Sequence, residues 1–154
     1  MTELSGGRRG VRWGAVGRAV TRAVSAVHNR VYRLSGGRLG GRLFKSPVLL
    51  LTTTGRKSGQ PRTVPLLYLA DGDTFVIVAS YGGSATHPVW FLNLRAHPEV
   101  EVEVAGTRRR MRAGVATAAE RRRLWPRLVQ MYASYETYQQ RTERKIPVVV
   151  LRPV

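Results

Sequence analysis

The chain has 154 residues, 43% of them hydrophobic and none of them cysteine. That size and composition suit one globular domain with its own core, and they exclude a disulfide scaffold, a thiolate nucleophile and cysteine-ligated zinc. The 26 lysines and arginines against 9 carboxylates give a formal net charge of +17, a field that draws polyanions such as nucleic acid, an anionic bilayer or an acidic cofactor without choosing among them.

Residues 1–10 read as a mobile leader without the compact apolar core of a signal peptide, and no apolar run in the chain reaches the ~18 residues of a membrane-crossing helix. From Val11 the pattern turns helical: Trp13, Val16, Val20, Val24, Val27, Val31 and Leu34 recur at steps of three or four, with Arg18, Arg22 and Arg33 opposite. This predicts a basic amphipathic helix, stopped by the glycines of 35–41. Residues 1–41 are therefore set apart from a main domain over 42–154.

Strands are expected over 47–54, 62–70 and 74–80, the first two joined by a basic turn and the last two by Asp71-Gly72-Asp73. Pro65 inside the second implies an edge or a bulge. A short helix follows between Pro88 and Pro98, then strands over 99–105 and 108–117 joined at Gly106-Thr107. Thr117 and Glu120 form a capping box for a helix over 117–142, with a kink expected at Pro126. Residues 145–154 close as the last strand. About six short strands in an antiparallel meander, with helices inserted, give an α+β barrel.

The three histidines, His28, His87 and His97, stand apart from the few carboxylates, so no metal site is expected. No nucleophile elbow, Walker loop or Rossmann glycine fingerprint is present. Three clusters remain. Arg56, Lys57 and Arg62 sit in the basic turn, where they suit either phosphate oxygens or plain solvation of a loop tip. The small residues 79–84 after a strand let a planar ligand approach the backbone, or simply make a glycine turn. Tyr132, Tyr135 and Tyr138, three apart with no phenylalanine between them, place hydroxyls along a helix, on a core or on a pocket wall.

In this order the segments LLLTTTGRKSGQPRTVPL, VASYGGSATHPVWFLNL, MYASYETY and IPVVVLRP resemble the deazaflavin-dependent nitroreductase family, actinobacterial quinone reductases that use reduced coenzyme F-420. The resemblance runs from Phe44 to Pro153. It implies a split β-barrel like that of FMN-binding oxidases, here six-stranded and antiparallel. It also implies cofactor contacts at Arg56, Lys57 and Ser58, then at Arg62, Thr63 and Val64. Further contacts implied are Val78, Ala79, Ser80 and Tyr81, then Val89, Trp90, Phe91, Leu92 and Asn93, and finally Tyr135.

On that resemblance the basic turn holds the coenzyme's phosphodiester and polyglutamate tail. Ser80, Tyr132, Tyr135 and Tyr138 hold the acceptor and are the catalytic candidates. The acceptor implied is a quinone such as menaquinone, and also nitroaromatic compounds. Tyr81 and Leu67 depart from the family pattern on the acceptor side. Menaquinone lies in the bilayer, so the 11–34 helix is read either as a peripheral anchor on an anionic membrane surface or as packing against the barrel. The expected location is the cytoplasm, with such a hold on the inner face of the membrane. Competing readings are an FMN oxidase of the same barrel type, a non-catalytic carrier of deazaflavin, haem or lipid, and a nucleic-acid-binding module. Against the last, the 108–114 segment lacks the interleaved aromatics of RNA-binding sheets.

Overall fold

The computed structural model describes Arg42–Leu43 and residues 46–154. The expected leader, the amphipathic helix over 11–34 and the glycines of 35–41 lie outside the described residues. The strands are β1 (Arg42–Leu43), β2 (Ser46–Thr54), β3 (Pro61–Leu67), β4 (Leu69–Asp71), β5 (Thr74–Val78), β6 (Glu99–Val104), β7 (Thr107–Val115) and β8 (Val148–Pro153). The helices are α1 (Val89–Ala96), α2 (Ala118–Met131) and α3 (Ser134–Gln140).

Every pairing is antiparallel: β2 joins β3 and β6, β6 joins β7, β7 joins β8, β8 joins β5 and β5 joins β4. Only Tyr68 separates β3 from β4, so the ring of strands is completed by one bent strand that pairs with β2 at one end and β5 at the other. The barrel is split where β3 passes β5 without a ladder. Pro65 sits on that free edge, where its missing N–H breaks no ladder bond. The single strand expected over 62–70 is thus two, because β3 pairs with β2 and β4 with β5; the Tyr68 N–H between them donates to Pro47 O (3.1 Å), in register with the β2–β3 ladder. With the two-residue β1, this is why eight segments appear where six were expected.

Side-chain alternation sets what each strand buries. In β6 the valines Val100 and Val102 enter the barrel core while Glu99 and Glu101 lie on the other, more open face and Glu103 is buried. β5 and β8 are buried on both faces. Ile77, Val149 and Leu151 join the barrel interior with Leu49, Leu51, Met111, Phe91 and Leu94. Val76, Val78, Val148 and Val150 join an outer cluster with Leu124, Leu128, Tyr135 and Ile146. This double burial explains the unbroken apolar runs of the two strands.

The capping box opens α2 as expected: the Glu120 N–H donates to the Thr117 hydroxyl (3.2 Å) and the Thr117 N–H to the Glu120 carboxylate (3.1 Å). One continuous helix to residue 142 does not form. α2 runs through Pro126 and ends at Met131, Tyr132 is extended (φ −146°, ψ 94°), and α3 starts at Ser134. Asp71, in the β4–β5 turn, accepts from Arg123 (2.9 Å) and Arg127 (2.8 Å), one turn apart on α2. These bonds lower the Asp71 carboxyl to about 2 and fasten α2 to the turn.

Leu128 is fully buried beneath α2. Leu128→Ala is expected to cost about 2–5 kcal/mol of stability through lost burial and the cavity left behind, read from the urea midpoint of unfolding.

Candidate functional site

The basic turn is built by glycine. The Gly55 N–H donates to Gln60 O and the Gly59 N–H to Gly55 O, both at 2.8 Å, and Gly59 takes φ +69°. A side chain at Gly55 would stand 2.5 Å from the Ser58 hydroxyl. The chain therefore turns tightly and leaves Arg56, Lys57, Ser58 and Arg62 exposed. None of the three cations meets a carboxylate among the described residues. Thr63, next on β3, shares a hydroxyl–hydroxyl bond with Thr52 (2.8 Å), and Val64 packs toward the barrel core.

Asn93 ties this turn to α1. Its side-chain carbonyl accepts the Arg56 backbone N–H (3.0 Å), and its amide donates to the Thr53 hydroxyl (3.1 Å), with both side chains buried. Along the same helix Trp90 and Phe91 enter the core, Leu92 packs against it, and Val89 stays 60% exposed. Of the α1 residues implied as cofactor contacts, Val89 is thus the most open, while Trp90, Phe91 and Asn93 hold the helix in place.

The segment after β5 leaves the sheet at Val78, an outer-cluster residue, and Ala79, which faces the core. Tyr81, Gly82 and Gly83 then take φ values of +45°, +61° and +78°. The carbonyls of Ala79, Ser80 and Ser84, on either side of this left-handed run, lie beyond the end of the β5–β8 ladder. They are collected by Arg144, which sequence reasoning passed over. Its Nε donates to Ser84 O (2.8 Å), Nη1 to Ala79 O (3.2 Å) and Nη2 to Ser80 O (2.7 Å). Nη1 also lies 3.2 Å from His87 Nδ1. Gly83 is pressed against α3, since a side chain there would stand 2.8 Å from Tyr138 O.

The three tyrosines do meet, though not as a stripe on one helix. Tyr132 sits in the break between α2 and α3, and its ring centroid lies 5.0 Å from that of Tyr135 and 6.1 Å from that of Tyr138. The Tyr132 and Tyr138 hydroxyls bond at 3.1 Å and are partly open. Tyr135 lies beneath them, 4% exposed, in the outer apolar cluster. Its hydroxyl has no hydrogen-bond partner among the described residues. Burial pushes the Tyr135 phenol well above the usual range and that of Tyr138 to about 12, so both stay protonated at neutral pH. Leu67 packs at the edge of the same cluster, and Ser80, 9% exposed, stands in the adjoining loop.

The candidates therefore form two groups. One is the cationic turn with Asn93 and α1. The other is the Ser80 loop with the tyrosines, over the outer face of β5 and β8. A cleft of about 270 Å³ lined by His87, Phe91, Arg95, Arg121 and Lys145 opens on the other side of α1 from Asn93 and contains none of the tyrosines. The arginines of β7 are not a bare polyanion surface. Arg108, Arg110 and Arg112 stand opposite Glu103, Glu101 and Glu99 in register, and Arg108 bonds Glu103 at 2.9 Å. Arg144 was passed over because a single arginine between a helix and a strand reads as solvated. The only available signal was its place just before the strand that pairs with β5.

Cations without an ion pair among the described residues at a glycine turn suit a ligand with an anionic arm, and a cluster of tyrosine hydroxyls suits a flat, oxygen-bearing ring. The F(420)H(2)-dependent quinone reductase family model matches residues 24–153. The chain is 44% identical over 129 residues to a Mycobacterium tuberculosis protein named as such a reductase, covering 81% of this chain and 87% of the relative. Among solved structures it is similar to an F-420-H2 dependent reductase (37% identity, TM-score 0.64, 69% of this chain and 94% of that one). It is also similar to a chain described as a domain-swapped dimer (34% identity, TM-score 0.66, 82% and 97%). The fold and the site thus define a split-barrel oxidoreductase. The chain belongs to the F(420)H(2)-dependent quinone reductase family, with reduced coenzyme F-420 as cofactor and a quinone as acceptor.

Desolvation lowers the His87 imidazole below its usual range, and the charges of Arg144 and Arg95 lower it further. The folded protein therefore binds this proton less readily than the unfolded chain. Its contribution to stability is present above pH ~6.5, the ordinary value, and is lost as pH falls through the lower folded value. Unfolding followed from pH 7.5 to 5 is expected to show that loss in the wild type and a flatter profile in His87→Gln.

Proposed function

We propose that the quinone reduced by this chain is a membrane naphthoquinone of the menaquinone class, that nitroaromatic compounds serve as alternative acceptors, and that Ser80 and Tyr135 are the groups that stabilise the reacting oxygen. The observation that carries this reading is the buried Tyr135 hydroxyl, which has no hydrogen-bond partner among the described residues. An unmet donor in apolar surroundings costs about 1–3 kcal/mol, and an acceptor oxygen arriving beside it removes that cost.

Bound reduced coenzyme F-420 supplies a hydride. Quinone reduction takes up that hydride and one proton, and negative charge builds on a quinone oxygen between the two events. A phenol kept neutral by burial donates a hydrogen bond to that oxygen at any physiological pH. The Ser80 hydroxyl offers a second donor from the adjoining loop. Tyr132 and Tyr138, joined through their hydroxyls, form the wall and carry a proton path outward. Arg56 and Arg62 suit bidentate bonds to phosphodiester or carboxylate oxygens, and Lys57 adds a point charge. Ser58, Thr63, Val64, Val78, Ala79, Tyr81 and the open side of α1 complete the groove.

Titration with oxidised coenzyme F-420 beside FMN, followed by turnover with menadione, tests the reading. Tyr135→Phe is expected to bind the coenzyme as the wild type does and to lose roughly 10²-fold in turnover, the size of effect that follows loss of one oxyanion donor. Unchanged turnover removes Tyr135 from the mechanism.

The residues preceding the barrel supply the route to a bilayer substrate. An amphipathic helix over 11–34, with Trp13 and valines on one side and arginines on the other, suits the anionic inner surface of the cell membrane. Flotation with liposomes containing phosphatidylglycerol is expected to carry the full chain and to lose a variant lacking residues 1–40. Equal flotation of the two overturns the anchor.

A further inference from the structure

We propose that Arg144 is a positioning residue for the acceptor site. Its guanidinium fixes the Ser80 loop against the tyrosine cluster, so that the two hydroxyl donors face one acceptor at a set separation. The proposal rests on the roles given above to Ser80 and the tyrosines, and it adds a residue to which no role in the reaction has been assigned.

One side chain uses all three of its nitrogens on this loop. It reaches the carbonyls of Ala79, Ser80 and Ser84 at 3.2, 2.7 and 2.8 Å, and approaches His87 Nδ1 at 3.2 Å. Those carbonyls flank the left-handed run at Tyr81, Gly82 and Gly83 and lie beyond the last ladder pair, Val78 with Val148. Ser80 O is shared with the Gly83 N–H (2.9 Å), so the Arg144 bond bears on the residue that carries the proposed donor. A planar fork spans three carbonyls in fixed directions. A lysine has one nitrogen and cannot.

The other end of Arg144 is held by the tyrosine side of the molecule. Its N–H donates to the Thr142 hydroxyl (3.3 Å), and its carbonyl accepts from the Gln139 amide of α3 (2.9 Å). The Gln139 side-chain carbonyl in turn accepts the Ile146 N–H (2.9 Å). Arg144 thus joins α3, the entry to β8 and the Ser80 loop. Gly83 against Tyr138 O gives a second point of contact between the same two parts. Two fastenings define a separation where one leaves a pivot.

The test uses the full chain and compares Arg144→Lys, which keeps the charge and the aliphatic stem, with Arg144→Ala. Hydrogen exchange of the peptide over 79–87 is expected to speed up in both variants while β5, β8 and α2 keep their protection. Turnover of menadione per folded molecule is expected to fall about 10- to 100-fold, the cost of small misplacement of reacting groups, with coenzyme Kd changed by less than about threefold. Methylguanidinium is expected to restore part of the turnover of Arg144→Ala. Wild-type exchange and wild-type kcat in Arg144→Lys overturn the proposal. So does a variant whose melting temperature drops while kcat per folded molecule holds, the signature of a purely structural role. Should Arg144→Ala fail to fold, Arg144→Lys carries the same readouts. If the wild type itself does not turn over menadione with the coenzyme, the functional reading fails, and the exchange arm still decides whether Arg144 fastens the loop.

Discussion

The antiparallel pair β5–β8, covered on both faces, is the constraint on which the rest of the molecule depends. Its inward residues Ile77, Val149 and Leu151 fill the barrel, and its outward residues Val76, Val78, Val148 and Val150 carry α2 and the tyrosines. A one-residue slip would exchange these two sets and misfit both. The register Val78↔Val148, extended by the Ala79 N–H to Pro147 O bond of 2.9 Å, also decides the site. It sends the Ser80 loop off one strand just where the Arg144 segment arrives at the other. Residues about 64 apart in sequence are neighbours because a ladder of valines puts them there.

The large positive charge is distributed unevenly in its effects. On the regular elements five arginines find carboxylates: Arg108 with Glu103, Arg110 with Glu99, Arg123 and Arg127 with Asp71, and Arg152 with Glu120. The solvent-exposed ones among these pairs contribute little stability each, but all of them cancel field locally. The three cations of the β2–β3 turn have no such ion pair among the described residues, and the turn that carries them is the one Asn93 holds by its backbone.

Legibility from sequence followed the range of the interactions concerned. The alternation of β6, the capping box at Thr117 and the Asp71-Gly72-Asp73 turn are local patterns, and each appears in the structure where it was expected. The division of the strand at Tyr68 was not legible, because it reflects a change of partner from β2 to β5, which only the assembled sheet defines. The break at Tyr132 was hidden for a related reason. A run rich in helix formers continues through it, Pro126 drew attention instead, and only the packing of three rings over β5 and β8 requires the chain to turn there. Arg144 is the extreme case, since a lone arginine has no pattern and its partners lie across the sheet. The segments of the candidate site could thus be named from sequence, while the depth of Tyr135 and the fastening of the Ser80 loop needed the fold.

The position of β8 has a consequence for how the molecule comes into being. It lies between β5 and β7, so a polypeptide emerging from the ribosome lacks the centre of its sheet until residues 148–153 have been made. Until then β5 and β7 expose two unpaired edges, and neither apolar cluster can close. Assembly must wait for long-range pairing, which is slow and leaves strand edges open to other chains in the interval. The tyrosine cluster and the core therefore mature together, in a single event that waits for β8.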